Sequence, residues 1–242
     1  MRVSRLFVDN VLNVGQSVEL DADASHYVRS VLRLKAEQEI VLFNGKGGEY
    51  QCRLDEVSRK TVRVRIEKFI ARDVESPLTV RLGIGISRGD RMDWSVQKAV
   101  ELGVNCITPL VTERCVIKFN DDKKQQRLQH WQNIILHAAE QSGRTRSPSL
   151  GDIASLPDWV GQQQDLKVFL DPYAEQSLAD LQPSTASVTL LSGPEGGFSD
   201  QEREIARSHG FVPVRMGARI LRTETAVLAA LAAVQTLWGD FK

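Results

Sequence analysis

From residue 78 onward, short apolar runs alternate with longer helical patterns, and this alternation restricts the fold more than any other feature of the chain. Apolar runs at residues 78–87 and 106–110 predict strands, and the sequence between them predicts a helix at 90–102. The same order continues with a helix at 123–142, strands at 167–170, 188–191 and 212–214, and helices at 199–208 and 225–238. Elements in this order form a parallel sheet covered by helices, so the predicted fold class is α/β.

The first 72 residues follow a different pattern. They predict one helix at residues 24–32 and otherwise short strands separated by turns, which is typical of a small β-barrel. The predicted strands lie at 5–8, 17–20, 39–43, 49–57 and 61–69. A charged segment that ends at Pro77 predicts a linker, so we expect one domain at residues 1–72 and a second at 73–242.

The composition narrows the class of protein. The chain carries 31 basic and 31 acidic residues, which argues against a globally basic nucleic-acid binder but allows a local patch. Cys52, Cys106 and Cys115 show no Cys-x-x-Cys spacing, so we expect a reducing compartment and neither a disulfide framework nor a structural metal. The N-terminus lacks the apolar core of a signal peptide and no run is long enough to span a membrane, which predicts a soluble cytoplasmic protein.

A glycine-rich turn at residues 193–197 follows the apolar run at 188–191. Ser199 and Glu202 have the spacing of a capping box, which predicts that a helix starts at Ser199. A phosphate-binding P-loop is excluded because Phe198 stands where the lysine of that motif belongs. The turn is either a tight connection between a strand and a helix or a ligand site formed by backbone amides and carbonyls beside an apolar wall.

Gly83 and Gly85 form a second glycine pattern, at the end of the strand predicted at 78–87. A dinucleotide-binding fingerprint needs a third glycine where this chain has Arg88, and no helix opens at the required place. We therefore interpret these glycines as relief of crowding within a strand.

Polar residues are concentrated at residues 216–226, directly before the apolar helix predicted at 225–238. One interpretation is that Thr223 or Thr225 caps this helix and that the neighbouring arginines are solvated. The alternative is an irregular turn that directs several of these side chains toward a substrate. Residues 227–237 carry no charge, which indicates a helix that lies in the core, at an oligomer contact, or both.

Two further sets of polar residues have an open assignment. His137, Glu140, Gln141 and Arg144 recur at helical spacing and form either a solvent face or a functional stripe. Basic residues of the first domain form either a phosphate-binding patch or ordinary surface charge. They are Arg2, Arg5, His26, Arg29, Arg33 and Lys35, and the spacing of His26, Arg29 and Arg33 predicts a shared helix face.

The sequence Gly-Pro-Glu-Gly-Gly-Phe at 193–198 and the sequence Arg-Ile-Leu-Arg-Thr-Glu-Thr-Ala at 219–226 together resemble the paired signature of the ribosomal RNA small-subunit methyltransferase E family, a branch of the SPOUT methyltransferases. Residues 26–33, 97–109 and 140–144 resemble weaker marks of the same family. Cys115 stands where the family pattern has serine.

The resemblance implies an N-terminal PUA-like RNA-binding barrel, a C-terminal α/β domain with a trefoil knot, and a homodimer. It also implies methyl transfer from S-adenosylmethionine to N3 of a uridine in the decoding region of 16S ribosomal RNA. The expected partner is this RNA within the assembled small subunit, and the sequence leaves free RNA open as the alternative substrate. A SPOUT ribose 2′-O-methyltransferase and a non-catalytic RNA-binding or ribosome-assembly factor are the alternatives.

The implied reaction needs a proton acceptor and a group that stabilises an anion, and we hypothesise which residues supply them. Arg222 would stabilise negative charge on the base, and Glu224, Glu195 or water would accept the N3 proton. The residues expected at the cofactor are Leu170, Leu191, Ser192, Gly193, Pro194, Glu195, Gly196, Gly197, Met216, Gly217, Ile220, Leu221, Thr223, Thr225 and Ala226. The residues expected at the RNA are Arg2, Arg5, His26, Arg29, Arg33, Lys35 and Arg144.

Overall fold

The computed structural model describes residues 3–115 and 121–242, and Arg2 lies outside the described residues. The chain forms two compact units. The first contains residues 1–75 together with 139–147, and the second contains residues 76–138 and 148–242. The predicted division between residues 72 and 73 stays a prediction, and it did not include the segment 139–147 in the first unit.

The first unit contains a five-stranded sheet in the order β1-β3-β4-β5-β2. Its strands are β1 (Arg5–Phe7), β2 (Ser17–Glu19), β3 (Glu39–Phe43), β4 (Glu49–Val57) and β5 (Val62–Ile70). Val62, Val64 and Ile66 alternate with exposed residues along β5 and are completely buried, because successive side chains of a strand point to opposite faces. The sheet is as expected, whereas its closure into a barrel stays a prediction.

The helical segment of the first unit is less regular than predicted and ends one residue earlier. It consists of helix α1 (Ala22–His26) and a π-helical turn at Tyr27–Val31. Arg33 lies beyond this turn with a φ of 53°, in the left-handed region. The prediction that Arg33 shares a helix face with His26 and Arg29 is therefore wrong, because the helix ends before reaching it.

The second unit is built on a parallel sheet in the order β12-β10-β11-β6-β7-β8, with β9 also paired to β7. Its strands are β6 (Thr79–Gly85), β7 (Cys106–Val111), β8 (Ser149–Leu150), β9 (Ala154–Ser155), β10 (Leu166–Leu170), β11 (Ser187–Ser192) and β12 (Val212–Val214). Its helices are α2 (Asp90–Glu101), α4 (Leu156–Val160), α5 (Asp200–Ser208), α6 (Thr223–Trp238) and most of α3 (Asp121–Ser142), whose residues 139–142 belong to the first unit. A 3₁₀ turn lies at Leu178–Asp180. The predicted α/β alternation is confirmed, and no helix of the described segments is long and apolar enough to cross a membrane.

The two glycines of β6 lie where neighbouring elements approach the strand closely. A Cβ atom at Gly83 would lie 2.5 Å from the ring of Trp159, and one at Gly85 would lie 2.5 Å from Pro194. Real Cβ atoms do not approach other atoms this closely, so any side chain would push the neighbouring elements apart. The interpretation of these glycines as relief of crowding is confirmed.

The carboxyl ends of β10, β11 and β12 meet at one edge of the sheet because the three strands are parallel neighbours. In open α/β sheets, ligands bind in the crevice at this edge. Helix α6 begins here at Thr223, two residues earlier than predicted, and Arg222 occupies its N-cap without a side-chain hydrogen bond. The interpretation that a threonine caps α6 is wrong, because both threonines already lie within the helix.

Candidate functional site

The loops that follow β10, β11 and β12 enclose a cavity of about 540 Å³. The structure places most of the predicted cofactor and catalytic residues on its wall. These residues are Leu170, Ser192, Gly193, Pro194, Glu195, Gly196, Gly197, Met216, Ile220, Leu221, Arg222, Thr223, Glu224 and Ala226. The volume lies within the range of small-molecule and cofactor sites, which is about 300–1,000 Å³.

Three residues expected at the cofactor lie elsewhere. Leu191 is completely buried in an apolar cluster with Phe169 and Phe198, because alternate side chains of β11 point away from the cavity. Gly217 and Thr225 are exposed and do not line the cavity. Leu191 was predicted to contact the cofactor, but its side chain packs in the apolar core instead.

Glycine is required in the turn after β11 for its backbone conformation. Gly197 has a φ of +64°, which side chains disfavour, and its N–H donates to the carbonyl of Pro194 at 2.9 Å. A Cβ atom at Gly197 would meet nothing within 4 Å, so the turn presents bare backbone there. The guanidinium of Arg114 donates to the carbonyl of Gly196 at 2.9 Å and fixes the middle of the turn.

The start of α5 confirms the capping box predicted from the sequence. The N–H of Ser199 donates to Oε2 of Glu202 at 2.9 Å, and the N–H of Glu202 donates to the Ser199 hydroxyl at 3.3 Å. The second carboxylate oxygen of Glu202 accepts from the N–H of Glu113 at 2.7 Å. One buried carboxylate therefore ties the segment after β7 to the helix that follows the glycine turn.

The carboxylate of Glu195 accepts hydrogen bonds from the segment that follows β6. Its Oε1 atom accepts from the N–H of Arg88 at 2.9 Å and from the guanidinium of Arg91 at 3.1 Å. Partial burial raises the pKa of Glu195, but these hydrogen bonds and the charge of Arg91 outweigh burial and hold the pKa below its usual value. A carboxylate of lowered basicity is a poor proton acceptor, so the geometry favours Glu195 as an anchor of the turn.

Glu224 lies in the first turn of α6 and is placed differently. It is 9% exposed, and its Oε2 atom is buried without a hydrogen-bond partner among the described residues. A buried carboxylate oxygen without a partner costs free energy unless a ligand supplies a donor. The structure therefore leaves an unsatisfied hydrogen-bond acceptor within a residue that lines the cavity.

Arginines without partners lie along the segment between β12 and α6. Arg215, Arg219 and Arg222 line the cavity and are exposed, and their guanidinium groups make no hydrogen bond or ion pair with any group of the described ranges. Three unpaired cations beside a cavity favour an anionic ligand or a transition state that gains negative charge.

The loop after β10 also belongs to the site, although its residues were not predicted from the sequence. Asp171 is buried at the cavity wall and pairs with Arg203 at 3.7 Å and with Arg207 at 3.8 Å. The Nε atom of Arg203, which also lines the cavity, is buried without a partner in the described part of the chain. The signal that was available is the position of Asp171, since it directly follows a buried strand whose carboxyl end faces the site.

The first unit contains a basic groove of about 430 Å³. It brings together Arg29, Arg33 and Lys35, as the sequence suggested, and adds Arg59. Arg29 is held in place because its guanidinium donates to the carbonyl of Ser58 at 3.1 Å. His26 is exposed, does not line this groove, and contacts Ser30 through Nδ1 at 3.3 Å.

Arg5 and Arg144 are buried inside the first unit, which corrects their predicted role. Arg5 pairs with Glu49 at 3.1 Å and donates to the carbonyl of Arg144 at 3.1 Å. Arg144 donates through Nε to Glu75 at 3.0 Å, and its side chain is only 6% exposed. Because their guanidinium groups are enclosed by these acceptors, both arginines stabilise the fold of the unit rather than reach RNA phosphates.

Comparison with known proteins agrees with this site. A family model described as an RNA methyltransferase domain matches residues 74–235, and one described as an RNA methyltransferase PUA domain matches residues 20–67. The ribosomal RNA small subunit methyltransferase E of Buchnera aphidicola is 35% identical over 99% of this chain and 98% of its own length.

Two solved structures are similar over all of both chains. A Legionella pneumophila protein described as a methyltransferase, in complex with SAM, is 39% identical with a TM-score of 0.97. The ribosomal RNA small subunit methyltransferase E of Neisseria gonorrhoeae, bound to S-adenosyl methionine, is 38% identical with a TM-score of 0.94. With full-length similarity in sequence and structure, this chain belongs to the ribosomal RNA small subunit methyltransferase E family.

Proposed function

We propose that this protein transfers a methyl group from S-adenosylmethionine to N3 of one uridine in the decoding region of 16S ribosomal RNA. The observation that carries the proposal is that the same cavity is lined by a buried carboxylate whose one oxygen has no donor, and by an arginine whose guanidinium has no acceptor, among the residues that the structure describes. Glu224 provides the first and Arg222 the second. Removal of a proton and stabilisation of the resulting anion are the two demands of alkylation at a base nitrogen.

The cavity fits the cofactor. The glycine turn at residues 193–197 offers bare backbone donors and acceptors, and Ile220 and Leu221 add an apolar wall. Arg203 and Glu224 each keep a buried polar atom without a partner in the described segments, and a ligand with both donors and acceptors would satisfy them. When bound, S-adenosylmethionine supplies an electrophilic methyl group on a sulfonium centre.

Different residues of the chain then remove the proton from the uridine and stabilise its negative charge. Uridine N3 carries a proton in the neutral base, and Glu224 accepts it through the free carboxylate oxygen. The positive charge of Arg222 stabilises the anion spread over N3 and the flanking carbonyl oxygens. Glu195 holds the glycine turn through Arg88 and Arg91 and takes no proton.

The proposal includes a homodimer, a trefoil knot in the second unit and a closed PUA-like barrel in the first. A dimer is supported by large apolar side chains that are exposed on the second unit, since removing apolar surface from water drives association. Ile220 is 77% exposed at the cavity, and Trp94 on α2 is 53% exposed. A partner subunit that covers Ile220 would contribute to the same active site. The small-subunit RNA of the cytoplasm, within the assembled subunit, is the proposed substrate.

The test is direct. The purified protein is incubated with methyl-labelled S-adenosylmethionine and small ribosomal subunits that lack modifications, and the digested RNA is analysed by mass spectrometry. Labelled N3-methyluridine at a single position is the expected product. A labelled ribose contradicts the proposed atom and favours a 2′-O-methyltransferase, and bound cofactor without any labelled nucleoside favours an assembly factor.

A further inference from the structure

Tyr173 is a large aromatic residue at the mouth of the cavity that the mechanism above does not use. It lies in the loop that follows β10 and lines the cavity, yet it is 72% exposed. Aromatic rings are normally buried because they carry a large apolar surface. Exposure of a ring beside a ligand cavity therefore needs an explanation.

Asp171 and Arg203 hold the ring of Tyr173 in place. The N–H of Tyr173 donates to Oδ1 of Asp171 at 3.0 Å, so a buried carboxylate fixes the start of the loop. The same carboxylate pairs with Arg203, whose guanidinium carbon lies 5.0 Å from the centre of the Tyr173 ring. Arg203 thus stacks on one face of the ring, and the opposite face remains open to solvent.

The loop is also tied to the segment that carries the unpaired arginines. The N–H of Asp171 donates to the carbonyl of Val214 at 2.9 Å, and the N–H of Arg215 donates to the carbonyl of Gln176 at 2.9 Å. Tyr173 and Arg215 therefore belong to one continuous rim of the cavity. An open aromatic face beside unpaired cations is the combination by which proteins bind single-stranded nucleic acid, with bases on the ring and phosphates on the cations.

We propose that Tyr173 is a stacking platform for a base of the single-stranded RNA segment that carries the target uridine. The inference rests on the proposed function, because it requires an RNA substrate at this cavity. Arg203 and Asp171 act as positioning residues that keep the ring at its angle. Arg215 lies on the same rim and contacts the phosphate of the stacked nucleotide.

The test compares Tyr173→Ala with Tyr173→Phe on unmodified small subunits. Stacking of one base contributes about 1–3 kcal/mol, so we expect Tyr173→Ala to raise KM for the subunit about 5- to 150-fold. Tyr173→Phe keeps the ring and is expected to remain within about twofold of the unsubstituted protein. Phe241→Ala is the matched control, because Phe241 is also an exposed ring but lies beyond the far end of α6.

Isothermal titration with S-adenosylmethionine separates stacking on RNA from a place in the cofactor wall. An unchanged Kd for the cofactor in Tyr173→Ala is expected, and it also shows that the variant is folded. A weaker cofactor Kd, an unchanged KM, or equal losses in the Ala and Phe variants would each overturn the proposal. Failure of the proposed function is distinguishable, because the unsubstituted protein would then give no N3-methyluridine at all.

Discussion

The two units of this protein use arginine in opposite ways. In the first unit, Arg5 and Arg144 are buried and each is paired with a carboxylate, Glu49 or Glu75. In the second unit, Arg215, Arg219 and Arg222 are exposed at a cavity and are paired with no described residue. The residue type is the same in the two places, and the partners separate a structural arginine from one that is available to a ligand.

The largest effect is expected from removing a paired arginine. Arg144→Ala leaves Glu75 as a buried charge without its partner, which costs about 3–5 kcal/mol in the free energy of unfolding. Urea denaturation measures this loss. Arg146→Ala, two residues away at an exposed position, is the control and should change the unfolding free energy little. Equal losses in the two variants would contradict the structural role of Arg144.

Removing an unpaired arginine should lower activity without lowering the free energy of unfolding. Arg222→Ala is expected to lower kcat about 100-fold, as when one donor to a developing negative charge is removed. The free energy of unfolding should stay the same, because the side chain is exposed and contacts no partner in the described chain. Arg222→Lys keeps the charge and should lose less. A normal kcat in Arg222→Ala would rule out Arg222 as the anion stabiliser.

The basic groove of the first unit lies between these extremes. Arg33→Gln and Lys35→Gln should each weaken binding to ribosomal RNA several-fold. Each should also reduce the slope of the logarithm of the binding constant against the logarithm of the salt concentration by about one. Arg53→Gln removes the same charge from the same unit, but Arg53 is already paired with Glu67 at 2.8 Å. Filter-binding titrations at several salt concentrations should show little change in this control. A flattened slope in Arg53→Gln as well would mean that total charge, not the groove, governs binding.

The smallest effect is expected at Glu195. Its folded pKa lies below the usual value, so its ionised form adds stability above the unfolded pKa, and that stability is lost as pH falls through the folded pKa. Thermal melts across the acid range should show a smaller fall in Tm for Glu195→Gln than for the unsubstituted protein. Glu204→Gln, at an exposed position of α5, is the control and should follow the unsubstituted protein. Parallel curves for all three proteins would rule out the contribution of Glu195.

The sequence predicted the elements that obey a local rule. The pattern of apolar residues predicted β3, β4 and β12 with the bounds that the structure shows. The spacing of Ser199 and Glu202 predicted the start of α5, because a capping box is a contact between residues that are close in the sequence. The two-residue strands β8 and β9 were missed, since a period cannot be recognised in two residues.

The features that depend on distant partners could not be read from the sequence. Arg5 and Arg144 were assigned to RNA because nothing near them in the chain shows Glu49 or Glu75 beside them. Leu191 was assigned to the cofactor because a strand pattern does not say which face meets the ligand. Tyr173 was not predicted because its position depends on a distant residue, Arg203 of α5, which packs against one face of its ring.

Strand β11 is inserted between β10 and β6, and both of these strands precede it in the chain. Sheets assembled from such distant segments fold slowly, because the entropic cost of closing long loops comes before the contacts that compensate for it. The walls of the cavity follow β10, β11 and β12, so the site is complete only after residues 187–214 have joined the sheet. A nascent chain that ends before this point holds no binding site, and cofactor binding stabilises only the finished protein.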